Sequence, residues 1–216
     1  MEYQNPRCAN NLDIISTLPQ NTIEEILSLM PIQDALRTSV LSKKWQYCWR
    51  SMPKLVFTND MVAMSNHLSG QLNKCKLVNA IFHVLLFHNG PTILEFRCSV
   101  GELHMESEFF QIISYLAREN TVKQLFTFSD NRSFKLPVSF FALQGLEVVH
   151  LENCTLEPPL TFNRFSSLTS MTFDNVEVST QMLQRFLSMC PQLVNLHFVS
   201  SITIYELKLL QLMMLF

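Results

Sequence analysis

Glycine is scarce: the 216 residues hold four, at 70, 90, 101 and 145. No two lie close enough for a GxGxxG turn or a P-loop, the glycine-rich turns whose backbone N–H groups cradle a phosphate. Nucleotide-dependent enzymes of those types are therefore excluded. Charge is sparse as well. Charged residues make up 16% and the net charge is −2, against about 25% charged in an average globular protein. A general nucleic-acid binder needs a basic surplus to meet phosphates, so no nucleic-acid partner is expected. No stretch reaches the roughly 18 apolar residues that span a bilayer. The polar start, Met1 to Asn11, lacks the apolar core of a signal peptide. The chain is therefore expected to work off the membrane and inside the cell, in nucleus and/or cytoplasm. The six cysteines, at 8, 48, 75, 98, 154 and 190, form no CxxC pair. They read as free buried thiols, without a zinc knuckle or a disulfide framework. No GxSxG or comparable nucleophile arrangement is present. No catalytic residue, cofactor or metal is expected.

Apolar residues are what the chain has, 48% of it. The first group is short and punctuated by prolines. Leu18-Pro19 opens it. Thr22 can cap a helix, and Glu25 three residues later completes a capping box. Ile23, Ile26, Leu27 and Met30 then fall on one stripe. Pro31 ends that helix. Asp34 can cap a second, with Leu36 and Val40 on one face, and Ser42 starts a third that carries Trp45 and Trp49. The expectation is a three-helix module over residues 13–53, too small for a large core of its own. Arg37, Lys43, Lys44, Arg50 and Lys54 make it locally basic. A solvated helix face is the plainer reading of that charge, and steering of an acidic partner is the competing one.

The order of residues carries more than the periodicity. Leu18-Pro19, then Ile26-Leu27-Ser28-Leu29-Met30-Pro31, then Asp34 through Trp45, then Trp49 resemble the F-box motif as found in plant F-box/leucine-rich-repeat proteins. The resemblance implies a partner: a Skp-type adaptor, and through it a cullin and a RING protein. It also implies roles. Leu18, Pro19, Ile26 and Leu27 would contact the adaptor. Val40 and Trp45 would contact it or hold the module's shape, and Ile23, Met30 and Leu36 complete the adaptor-binding set.

Behind this module, residues 54–91 are expected to form a helical linker, or N-terminal cap, with an amphipathic helix over about 68–87 ended by Asn89-Gly90-Pro91. Glycine is the natural left-handed cap there. A spacing then recurs, with apolar residues at offsets 0, +3, +5, +8 and +10. Leu146, Val149, Leu151, Cys154 and Leu156 fit it; so do Leu168, Met171, Phe173, Val176 and Val178. Leu193, Leu196 and Phe198 begin another copy. Ile93, Phe96, Cys98 and Leu103 give a looser one, and Val122 and Leu125 start one in which Thr127 matches poorly. The starts lie 29, 24, 22 and 25 residues apart, the period of leucine-rich repeats. Helical returns are expected at Phe109, Ile112, Ile113 and Leu116 and at Met182, Leu183, Phe186 and Leu187. An ordinary α/β domain is the rival architecture.

The fold class expected is thus a mixed α/β (α+β) solenoid: a three-helix F-box followed by a short, C-terminally incomplete leucine-rich-repeat array over 92–205. Offsets +3 and +5 point inward, and offsets +2, +4 and +6 face the other way. That face holds Val148, His150 and Glu152; Ser170, Thr172 and Asp174; Asn195, His197 and Val199. Its polar members His150, Glu152, Thr172, Asp174, Asn195 and His197 are the candidate surface for an unknown protein substrate. Members of the family resembled usually continue through more repeats, and many end in an FBD domain. No FBD-like segment is found here, and residues 206–216 form an apolar tail, read as a truncation. The function expected is that of substrate adaptor in an SCF-type ubiquitin ligase. The alternative is a truncated, non-productive form that binds the adaptor and competes with full-length relatives.

Overall fold

A computed structural model describes residues 14–57, 70–99, 106–119, 121–129, 133–162 and 164–199. Three short helices come first: α1 (Ile14–Thr17), α2 (Gln20–Ser28) and α3 (Ile32–Thr38). Prolines start two of them. Pro19 and Pro31 occupy the N-cap positions with φ −58°, which leaves each proline just outside the helix, where its missing N–H costs nothing. The expected caps are corrected accordingly. Thr22 lies inside α2 and Asp34 inside the first turn of α3, where it pairs with Arg37 at 2.8 Å. The expected third helix is a run of turns closed by a 3-10 segment, Cys48–Ser51. Trp45 is buried and its indole donates to the Ile15 carbonyl at 3.0 Å. The Trp45 and Trp49 rings thus fill the module's core without a regular helix to carry them.

The chain then lays down a parallel sheet in chain order. Its strands are β1 (Lys54–Phe57), β2 (Ile93–Ser99), β3 (Val122–Phe128), β5 (Val148–Glu152), β7 (Ser170–Asp174) and β8 (Asn195–Phe198). Two shorter strands, β4 (Phe134–Lys135) and β6 (Cys154–Thr155), pair beside it. Parallel neighbours need a crossover. Here it is α4 (Gly70–Phe87), α5 (Glu106–Glu119) and α6 (Thr180–Ser188), together with a 3-10 segment at Val138–Ala142 before β5. Ser179 caps α6 by accepting from the Met182 amide at 3.3 Å.

The offset pattern has a direct structural meaning. Residues at +3 stand side by side across the sheet: Phe96, Leu125, Val149, Met171 and Leu196. Residues at +5 form the next row: Cys98, Thr127, Leu151, Phe173 and Phe198. From Phe96 to Met171 and from Cys98 to Phe173 these rows are fully buried. Each such Leu, Val or Phe contributes on the order of 1.5–3 kcal/mol by leaving water. Thr127 holds its place in the buried row with its hydroxyl directed to the His150 carbonyl at 3.4 Å. Phe140, Phe141, Phe162, Phe165 and Phe186 pack ring against ring, with Phe162 and Phe165 5.0 Å apart.

Four further expectations change. Residues 54–57 are a strand of the sheet, paired in register with Glu95–Cys98, so the module runs into the sheet without a purely helical linker. Gly90 is not left-handed. It is there for closeness, because a Cβ would meet the His88 ring at 3.0 Å and the Ser51 carbonyl at 3.2 Å. Met182 lies off the buried face of α6 and is exposed, unlike Leu183, Phe186 and Leu187. The last copy sits at the sheet's end, where Leu196 is only partly buried and Phe198 is exposed. Leu103 and the tail 206–216 lie outside the described residues.

Candidate functional site

Two surfaces emerge. The first belongs to the N-terminal module. Of the adaptor-binding set, Ile23, Leu27 and Trp45 are covered by the chain's own core. They support the module from inside, which for Trp45 is one of the two roles expected and for Ile23 and Leu27 replaces the contact expected with the adaptor. Leu18, Ile26, Met30 and Leu36 are half-buried and pack on that core from outside. Pro19 is exposed, and Val40 is 87% exposed. Beside them stand apolar side chains that the spacing argument passed over: Ile14, Ile15, Leu29 (88% exposed) and Leu41. Leu29 follows α2 directly, off the stripe that periodicity selects. The module thus carries several solvent-facing aliphatics, Leu29 and Val40 the most exposed among those named.

The module is fixed to the first strands of the sheet. The Asn89 amide donates to the Arg50 carbonyl at 2.9 Å, and the Glu95 amide to the Pro53 carbonyl at 3.1 Å. The Trp49 ring stacks on His83 of α4 at 5.9 Å. His88 meets the Met52 carbonyl at 3.0 Å. Burial pushes the His88 imidazole below its ordinary pKa, and that hydrogen bond partly opposes the shift.

The second surface is the open face of the sheet. His150, Thr172 and His197 share one register row, Glu152 and Asp174 the next, and Val148, Ser170 and Asn195 the one before. Asn195, His197 and Val199 are exposed and the others are half-buried. The same rows continue leftward into residues that the looser repeats concealed. Arg97 pairs in register with Phe126, and Phe126 with His150. The Arg97 guanidinium lies 4.4 Å from the Phe126 ring centre and 5.5 Å from that of Phe128. Its Nε and Nη2 both donate to Glu95 Oε1, at 2.9 and 2.7 Å. The His150 ring lies 5.5 Å from Phe128 and 6.2 Å from Phe126. Burial lowers the His150 pKa, the Asp174 carboxylate opposes the shift and Arg97 adds to it. An imidazole and a guanidinium stacked on aromatic rings make a firm, flat centre, with Glu152 and Asp174 as its acidic border. The +2, +4 and +6 rule applied to starts 93 and 122 selects Glu95, Arg97, Ser99, Gln124, Phe126 and Phe128, of which all but the buried Ser99 keep some exposure, so the signal was available.

The far end of these strands is pinned by asparagine. Asn153 and Asn175 both have φ 50°, a left-handed conformation that asparagine tolerates better than most residues. Asn175 donates to Asn153 Oδ1 at 2.6 Å, and Asn153 donates to the Ser129 carbonyl at 2.5 Å. Among the described residues, no three His, Cys, Asp or Glu side chains gather as a metal site, and no helix is long and apolar enough to cross a membrane.

Comparison with known proteins agrees with this layout. Residues 15–57 match the F-box domain, and residues 111–213 match the leucine-rich repeats of the FBD-associated F-box protein At5g56370. The chain is thus an F-box protein with a leucine-rich-repeat body. Its relatives in Arabidopsis thaliana place it further. It is 36% identical to F-box/FBD/LRR-repeat protein At1g13570 over 84% of its own length and 42% of the relative's. To F-box/FBD/LRR-repeat protein At5g56420 the identity is 29%, over 85% of this chain and 43% of the relative. To FBD-associated F-box protein At5g38590 it is 30%, over 86% and 44%. The chain is thus similar to plant F-box/leucine-rich-repeat proteins and spans less than half the length of these relatives. No solved structure matches it.

Proposed function

We propose that this chain is a substrate-recognition subunit of an SCF-type ubiquitin ligase, acting inside the cell. The F-box at 15–57 carries the reading. In it Leu18, Pro19, Ile26, Met30, Leu36 and Val40 face a Skp-type adaptor, which joins the chain to a cullin and a RING protein. Leu29 and Leu41 extend that footprint. The repeats form a short solenoid whose open sheet face takes the target protein, with Arg97, Phe126, His150, Glu152, Thr172, Asp174, Asn195 and His197 as the contact set. The chain makes and breaks no bond itself. It raises the effective concentration of the target near the ligase, a contribution of position alone. The outward aliphatics and the pinned open face support this division of labour.

The test is affinity of the full chain for a purified Skp-type adaptor. Wild type should bind, and both Leu18→Ala/Pro19→Ala and Val40→Glu should weaken it while leaving the circular dichroism spectrum intact. Removing one well-buried aliphatic contact is worth about 1.5–3 kcal/mol, or roughly 10- to 150-fold in Kd. A folded wild-type chain that fails to bind would sink the ligase reading.

A further inference from the structure

A third surface lies where the module meets α4. Arg50 is half-buried, and its guanidinium is set among three rings: 4.3 Å from the centre of Tyr47, 5.1 Å from Phe87 and 5.7 Å from Trp49. His83 backs the group, stacked on Trp49 and 4.8 Å from Phe87. No carboxylate and no carbonyl among the described residues accepts a hydrogen bond from this guanidinium, and its Nε is enclosed without a partner. An arginine holds five donors in a rigid fork suited to a carboxylate. Here packing fixes the fork while its donors go unused. Around it, Tyr47 is 53% exposed and Phe87 40% exposed, with Leu86 alongside in sequence and also exposed. Exposed aromatics around a fixed arginine are the composition of an interface centre.

The charge of the surroundings says what fits. Along the chain from Leu36 to Phe57 there are five basic residues, Arg37, Lys43, Lys44, Arg50 and Lys54, and no acidic one, while Glu24 and Glu25 of α2 line the groove on the other side of Cys48 and Ser51. Asp34 is already engaged with Arg37. A surface of that sign attracts and orients an acidic partner.

We infer that Tyr47, Arg50 and Phe87 form a docking site for an acidic segment of a partner protein, a Glu or Asp carboxylate seated on the terminal Nη1 and Nη2 of Arg50, whose Nε is enclosed, with a neighbouring apolar side chain laid on the Tyr47 and Phe87 rings. The inference does not depend on the ligase reading, since the site uses none of the residues assigned to the adaptor or to the sheet face.

The experiment uses the full chain and a fluorescein-labelled peptide of alternating Glu and Leu, followed by anisotropy. Control peptides carry Lys, or phosphoserine, in place of Glu. The Glu/Leu peptide should bind and the Lys peptide should not. Arg50→Gln and Tyr47→Ala should each weaken binding at least about tenfold, the scale of an interface anchor. Tyr47 is exposed, so Tyr47→Ala spares the core and decides the matter if Arg50→Gln unfolds the chain. No binding of the Glu/Leu peptide, equal affinity in wild type and Tyr47→Ala, or a clear preference for the phosphoserine peptide would each overturn the proposal.

Discussion

Replacing Asn153 by alanine should cost the fold about 2–4 kcal/mol, and the magnitude can be built from its parts. The side chain makes two short hydrogen bonds, giving one to the Ser129 carbonyl at 2.5 Å and taking one from Asn175 at 2.6 Å. The residue is buried, so each bond contributes on the order of 1 kcal/mol or somewhat more. The backbone adds a second part. At φ 50° an alanine Cβ crowds the following carbonyl at a cost of about 1–2 kcal/mol, which asparagine partly avoids. Asn153→Gly separates the parts, because glycine loses the bonds but accepts the backbone. It should therefore be more stable than Asn153→Ala by about 1 kcal/mol. Urea unfolding read by circular dichroism gives both differences, and the alanine variant should melt roughly 5–15 °C lower for a domain of this size. The main-chain bonds here, Asn153 N–H to the Asp174 carbonyl at 2.9 Å and the Phe134 amide to the Asn153 carbonyl at 3.2 Å, stay available in every variant. An alanine variant within about 0.5 kcal/mol of wild type, the ordinary range for surface changes, would refute the pinning argument. A glycine variant less stable than alanine would refute the backbone part.

The remaining expectations are simpler. His88 and His150 both have pKa values held below the ordinary value, chiefly by burial, so the unfolded chain takes up protons first. Their contribution should be intact above about pH 6.5, the unfolded value, shrink as pH falls below it, and level off below the folded pKa values. Urea midpoints between pH 8 and 5 should show that fall, and a flat profile would contradict it. Burial pushes the thiols of Cys98, Cys154 and Cys190 up to about 12. In the native chain at pH 8 these three should resist iodoacetamide and react only in denaturant, as mass spectrometry of each site can show. Phe165→Ala opens the ring cluster around Phe140, Phe162 and Phe186 and should cost about 3–5 kcal/mol in urea unfolding. A loss under 1 kcal/mol would mean that the cluster collapses into the gap.

Much of the sheet was legible because its core is periodic. Offsets +3 and +5 from five starts name ten residues, and the structure stacks them in two continuous rows. The first strand escaped because its copy starts at Met52, is interrupted at once by Pro53, and carries the charged Asp60 at +8 where an apolar residue is wanted. The α-helical caps were misread for a related reason. Thr22 and Asp34 have the right chemistry for a cap, but the prolines at 19 and 31 fix the chain's entry earlier, and a helix begins where the backbone first permits it. The module's third helix failed because Trp45 and Trp49, four apart, satisfy a helical stripe equally well when tertiary packing holds them in turns. Burial outranks propensity there.

The functional surfaces were less legible, and the reason is physical. Periodicity finds side chains that leave water. It then treats every apolar residue on the stripe as one set, although a partner can touch only those the chain itself leaves open. Ile23 and Leu29 are both aliphatic and six residues apart; one is enclosed and the other 88% exposed. What separates them is the cover supplied from elsewhere in the core, where Trp45 and Leu55 also lie. The same holds on the sheet. His150 could be named from its offset, but its character comes from Phe126, Phe128 and Arg97, more than twenty residues earlier and one or two strands away. Burial among these neighbours lowers its pKa, with Arg97 adding to the shift and Asp174 opposing it. Moving Arg97 or Phe128 would change what His150 offers without touching it. The character of this face is thus a property of the cross-strand rows, set by the +2, +4 and +6 positions while the +3 and +5 rows keep the fold.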